Sequence, residues 1–145
     1  LLAHRLKEGT MPARRVDYYY VTVPNRAGQG ARLLEAFRDA DVDFRAVHAF
    51  PNGASAQINL FPKDSRAFLR AAKKAGIKAS SRRTAFIIEG RDRVGAVARI
   101  LGKLGEAKVN VTAMDAIAAG GRFGAIIWVR QDNVNRAARA LGARR

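Results

Sequence analysis

Along this chain, runs of alternating apolar and polar positions give way to runs of helical spacing, and the same succession occurs twice. Tyr18 to Val23 is aromatic and β-branched, the content of a strand, and Pro24 ends pairing there because it has no amide to donate. Over Gly28 to Ala40 the spacing predicts a helix whose stripe is Ala27, Ala31, Leu34 and Phe37. Val42 to Phe50 and Ala56 to Phe61 read as strands joined by a turn at Pro51-Asn52-Gly53. Asp64 is placed to cap a helix running to about Ala75, with Phe68, Leu69 and Ala72 inward. Gly76 stops that helix, and Ile77 to Arg82 supplies a fourth strand.

The second pass begins with a strand over Thr84 to Glu89 and a helix over Val94 to Glu106, whose stripe is Val94, Val97, Ala98, Leu101 and Leu104. Strands over Val109 to Ile117 and Gly124 to Val129 flank a Gly120-Gly121 turn, and a helix covers Asn133 to Leu141. A shift of about 67 residues superposes the two passes without a gap. Arg26 then meets Arg93, Gly28 meets Gly95, Arg32 meets Arg99, Leu34 meets Leu101 and Val42 meets Val109. Alanine matches count for less in an alanine-rich chain.

The pattern therefore predicts an α+β protein of two tandem ferredoxin-like (βαββαβ) units, each an antiparallel sheet covered by helices on one face. Residues 16–82 form the first unit and 83–145 the second. Residues 1–15, which start without Met and carry Gly9 and Pro12 without a clear period, read as an extension or cloning remnant, with Met11 a candidate native start. After Gly142 only Ala143-Arg144-Arg145 remain where the second unit needs its last strand. An unpaired edge invites pairing, so that sheet is expected to borrow a strand from the extension or from another subunit.

Composition adds limits. Of 145 residues, 48% are hydrophobic and 27% charged, the balance of a folded domain rather than a disordered tail. Without cysteine, neither disulfides nor thiolate zinc ligation is available, which fits a reducing cytoplasm. No apolar run reaches the roughly 18–20 residues that cross a bilayer, and residues 1–15 have no secretory apolar core, so the expectation is a soluble cytoplasmic protein off the membrane. A formal charge of +15 draws nucleic acid or acidic partners. The basic residues are nevertheless dispersed, with only short clusters at Lys73-Lys74, Arg82-Arg83 and Arg144-Arg145, which favours a solvated surface.

Asn25-Arg26-Ala27-Gly28 with Ala40-Asp41-Val42-Asp43-Phe44, and Asp92-Arg93-Val94-Gly95 with Ala107-Lys108-Val109-Asn110-Val111, resemble the ACT domain over about Asp17 to Ala143. The resemblance implies a free-standing tandem regulatory module that binds an amino acid between the strand-to-helix loop of one unit and the second strand of its neighbour. It also implies a homodimer, a regulated enzyme or regulator protein as partner, and no cofactor. The chain departs from the family pattern in its missing last strand and at Gln29-Gly30, where an aliphatic pair such as Ala96-Val97 is usual.

The candidate ligand residues are Asn25, Arg26, Ala27 and Gly28, their counterparts Asp92, Arg93, Val94 and Gly95, and His48, Met114 and Asp115 on the second strands. Amides near Gly28 and Gly95 open a helix N-terminus and suit a carboxylate, while Asn25 or the ionised Asp92 suits an ammonium. The same two residues also suit plain helix caps, and a lone His on a strand is more often structural. An enzyme is not expected: His48 has no nucleophile partner, and no phosphate loop or metal-binding His pair is present. Two other classes stay open. One is an RNA-binding unit using Tyr18 and Tyr20 on the shared β-α-β-β-α-β layout; the other is a ligand-free dimerisation module.

Overall fold

The computed structural model describes residues 11–145, so the expectations for Leu1 to Thr10 lie outside the described residues. Contacts divide the chain into two units, Asp17–Arg83 and the residues up to Val16 together with Thr84–Arg145.

In the first unit, strand β1 (Ala13–Pro24) is followed by helix α1 (Gln29–Asp39), strands β2 (Phe44–Asn52) and β3 (Ser55–Pro62), and helix α2 (Ser65–Lys74). The strands lie in the order β2-β3-β1, all antiparallel, with Tyr19 opposite Leu60 and His48 opposite Asn59. Tyr19, Val21, Leu33, Phe37, Leu60 and Phe68 form the core, where the rings of Phe37 and Phe68 stack at 4.8 Å. Burial of each such side chain contributes about 1.5–3 kcal/mol.

The buried face of α1 is Leu33 and Phe37 with Leu34 partly covered, whereas Ala27 and Ala31 are exposed. The expected stripe is thus rotated. Helix geometry begins only at Gln29, and two alanines have little apolar area to gain by burial. In α2, Phe68 and Ala72 are inward, but Leu69 stands 45% exposed, a step of about 100° around the axis. Asp64 does cap α2, its Oδ1 accepting from the amides of Arg66 (3.0 Å) and Ala67 (3.1 Å). Gly76, at φ +68°, closes it with Ile77 donating to Ala72 O at 2.8 Å, a Schellman ending. The fourth strand expected over Ile77 to Arg82 does not form. Ser80 holds that stretch beside β1, its amide donating to Tyr20 O and its Oγ accepting from Tyr20 N, both at 2.9 Å. A side chain has taken a main-chain partner's place, so no ladder propagates.

The second unit runs β4 (Arg83–Arg91), α3 (Ala96–Glu106), β5 (Val111–Ala119), β6 (Arg122–Val129), a 3₁₀ turn (Gln131–Asn133) and α4 (Val134–Leu141). Its strands are ordered β5-β6-β4, and the opening residues of β1 lie beside β4, where Glu89 donates to Pro12 O at 3.4 Å. On the other side of that segment, Arg14 bridges Arg144 in parallel, Arg15 N donating to Arg144 O and Arg144 N to Ala13 O. The slot of the missing last strand is therefore filled by residues just before the first unit. Ala13 joins the core of Phe86, Ile88, Ile100, Leu104, Ile127 and Leu141. On α3 the buried residues are Ile100 and Leu104; Val94 is fully exposed and Leu101 37% exposed, so this stripe too is rotated from its expected place.

Backbone details recur at equivalent positions. Gly28 and Gly95 are left-handed at φ +86° and +84°, and so are Asp41 and Lys108 at +59° and +60°. Val42 donates to Phe37 O and Val109 to Leu104 O, both at 2.9 Å. Each second strand also has a bulge, after Phe44 and after Val111. The antiparallel strands and the order β-α-β-β-α in each unit make an α+β protein of ferredoxin-like design. Neither unit, however, has a regular fourth strand of its own after its second helix. Among the described residues no helix is long and apolar enough to cross a bilayer.

Candidate functional site

Each unit turns from its first strand into its first helix through a four-residue loop that ends in a left-handed glycine. The turn is closed by Gln29 N to Arg26 O (3.3 Å) in one unit and Ala96 N to Arg93 O (3.1 Å) in the other. Each loop is also tied to its unit's hairpin, Asn25 N donating to Ala54 O at 2.9 Å and Asp92 N to Gly121 O at 3.0 Å. Gly28 and Gly95 are the N-caps, and neither helix start receives a side-chain hydrogen bond. The capping reading of Asn25 and Asp92 is thereby corrected: they sit three residues before the cap, too early to reach the first-turn amides. Of the first-turn amides, Gln29 N and Ala96 N are bound back to the loop, and the next two have no partner within the helix itself.

In the second unit this loop borders an open cleft of about 250 Å³. Asp92, Arg93 and Gly95 form one side with the first turn of α3; Ala116, Ile117 and Ala118 of β5 and Phe123 of β6 form the other. Among the described residues the side chains of Asp92 and Arg93 make no hydrogen bond or ion pair. The cleft thus presents one carboxylate, one guanidinium and an apolar wall. A carboxylate accepts from an ammonium and a guanidinium forks onto a carboxylate, so the polar side complements a zwitterion. Phe123 is 6% exposed and pairs across the sheet with Gly90, whose missing Cβ would lie 3.1 Å from the Phe123 ring. That glycine makes room for the ring.

Of the expected site residues, the cleft gathers Asp92, Arg93 and Gly95. Val94 points to solvent away from it, Met114 packs partly against the core, and Asp115 is not among its walls. In the first unit Asn25 turns its Nδ2 to Gly53 O at 3.4 Å, while Arg26 and Ala27 are exposed beside Gly28. His48 is half-buried on β2 and lies 3.2 Å from Asn59 Nδ2, whose Oδ1 accepts from Gln57 Nε2 at 3.0 Å. This chain satisfies Asn59, a buried polar residue, and makes His48 a structural partner of it. Sequence reasoning missed the Ala116 to Ala118 wall and Phe123. The signal was present: Phe123 follows the Gly120-Gly121 turn where the first copy has Ala56.

Tyr18, offered as a base-stacking platform, is 6% exposed, stacks on Phe61 at 5.0 Å and takes a hydrogen bond from Arg83 Nε at 3.2 Å. It is committed to packing. Elsewhere, the Lys63 ammonium 2.6 Å from Asp43 holds that exposed carboxyl below its ordinary value of 3.8, helped by the Phe44 amide. No group of three or more His, Cys, Asp or Glu able to hold a metal occurs among the described residues.

The strand order, the paired loops and the helix pairs define an ACT-like fold. Solved structures agree. A Bacteroides thetaiotaomicron protein superposes with a TM-score of 0.77 at 18% identity, over 90% of this chain and 88% of its own. The ligand-free regulatory subunit of aspartate kinase from Thermus thermophilus gives 0.63 at 15% identity, over 94% and 97%. The corresponding subunit from Thermus flavus gives 0.56 at 14%, over 92% and 94%. Identities this low show the fold alone. No protein-family model matches the sequence, and no curated protein matches it.

Proposed function

We propose that this protein is a non-catalytic, tandem ACT-type regulatory module that binds a small amino acid or related metabolite and reports its presence to a partner protein. The observation that carries this reading is the cleft, where Asp92 and Arg93 stand without partners beside an apolar wall. Its volume of about 250 Å³ falls just below the roughly 300 Å³ at which drug-sized pockets begin, a size for a small metabolite. Likeness in fold to aspartate kinase regulatory subunits supports the regulatory part.

β5 is the edge strand of its unit's sheet and contributes Ala116 to Ala118 to the cleft. A second copy of the chain against that edge would enclose the ligand, which gives the module its homodimer and its switch. Ligand contacts made in only one arrangement shift the equilibrium toward that arrangement by the difference in affinity.

The test is a thermal-shift screen of the twenty amino acids and a short single-stranded RNA at two salt concentrations. An amino acid at one hundred times its Kd stabilises by about 2.7 kcal/mol, a readable shift. The expected result is a saturable rise with one or a few amino acids that disappears in Asp92→Ala. Silence with all twenty overturns the reading; salt-sensitive RNA binding in that case would point to the basic surface instead.

A further inference from the structure

The two copies share a frame but differ at the positions that border the cleft. Resting on the function proposed above, we infer that only the second copy takes ligand, one molecule per chain, and that the ligand is an α-amino acid with a short apolar side chain.

The polar side differs first. Asp92 is an ionised carboxylate with no described partner, whereas its counterpart Asn25 is neutral and donates its Nδ2 to Gly53 O at 3.4 Å. An ammonium meets a full negative charge at Asp92 but only an amide dipole at Asn25, so the second loop holds an ammonium better. The wall differs next. Where β5 offers Ala116, Ile117 and Ala118, β2 has Ala49, Phe50 and Pro51, with rings at the positions of Ile117 and Ala118.

The floor differs most. In the second copy Gly90 faces Phe123 across the sheet, and the Phe123 ring lies where a Cβ on residue 90 would be 3.1 Å from it. In the first copy the same cross-strand pair is Val23 and Ala56. The large residue has changed strands. With Val on β1 and Ala on β3, the first copy has no aromatic ring at this cross-strand pair. Apart from Asp92 and Arg93, every side chain on the cleft is apolar, so nothing there answers a charged ligand side chain, whose desolvation would go uncompensated.

Two variants transplant first-copy chemistry into the second copy. Asp92→Asn imports Asn25, and Gly90→Val with Phe123→Ala imports the Val23 and Ala56 pair. Isothermal titration of the full chain with alanine, valine, leucine, isoleucine, aspartate and lysine is expected to give one equivalent per chain. Apolar amino acids should bind at least tenfold more tightly than aspartate or lysine. Both variants should lose at least tenfold in affinity, the double variant while keeping a cooperative melting transition; if it fails to fold, Asp92→Asn alone decides. Two equivalents per chain, or wild-type affinity in Asp92→Asn, would overturn the divergence and leave the amino-acid reading standing. Tighter binding of aspartate or lysine would overturn the ligand class. No heat with any amino acid would overturn the proposed function and this inference with it.

Discussion

Gly95 and Gly28 permit a clean test of what builds the candidate loop. Both have left-handed backbones, at φ +84° and +86°, and a Cβ added at either would meet nothing within 4 Å. Replacement by Ala therefore carries no packing cost, only a conformational one. Holding an L-residue in that region costs about 1–2 kcal/mol. Stiffening the unfolded chain returns about 0.4–1 kcal/mol. The net expectation for Gly95→Ala and Gly28→Ala is a loss of about 1 kcal/mol each, or about 4–8 °C in Tm for a unit of this size. Gly30 is the internal control, because it too has open space for a Cβ but no positive φ. There Ala removes backbone entropy without strain, and Gly30→Ala should gain about 0.4–1 kcal/mol.

Urea denaturation followed by circular dichroism measures all three, with the slope of each transition checked against wild type. Opposite signs at positions 28 and 30, two residues apart, are the required outcome. If both shift the same way, the left-handed caps are not the conformations that fix these loops. Gly95→Ala should in addition weaken ligand binding beyond its effect on stability, since the loop itself forms one side of the cleft.

Asp64→Ala removes the acceptor for the Arg66 and Ala67 amides and should cost about 1 kcal/mol in urea denaturation, a loss that Asp64→Ser recovers for the most part. The Asp43 carboxyl is held low by the Lys63 ammonium, so any stability it lends is present above its unfolded-state pKa, about 3.9, and fades as pH falls through the lower folded value. Carbon-detected NMR titration should find Asp43 below 3.8 in the wild type and moving up in Lys63→Ala, while stability at neutral pH hardly changes because the pair is fully solvated. An unmoved Asp43 titration would remove Lys63 as the cause.

The element order and the loop were legible in the sequence because they depend on local chemistry. Glycine where φ must be positive, Asp64 before an apolar period and turn residues between alternating runs each carry their own physical reason. Which face of a helix is buried was less legible. For α1 and α3 the expected stripe began at Ala27 and Val94, inside the loops, so each was set out of phase from its first member. Ile100 and Leu101 are both aliphatic and adjacent, and only the sheet beneath decides that one is buried and the other open. The last strand of the first unit was illegible because a serine side chain stands in for the ladder, which no periodicity records. In the second unit the shortage after Gly142 did point to a borrowed partner, and residues just before the first unit supply it.

The floor of the cleft shows where repeat reasoning must stop. Matching the copies by identity rewards what they share, namely the glycines, the helix starts and the hydrogen bonds that close both loops, and these specify a frame that can be left empty. Ligand chemistry needs a carboxylate, a cavity and a surface to lie against, and all three come from positions where the copies disagree: Asp92 against Asn25, Ala118 against Pro51, and the Gly90 and Phe123 pair against Val23 and Ala56. In that last exchange the strand opposite the ring carries a glycine, which leaves the room that the Phe123 ring needs. An aromatic ring on the cleft in one unit and none at the matching pair of its twin is the kind of difference that, on the proposed function, would separate a unit that binds from one that only folds.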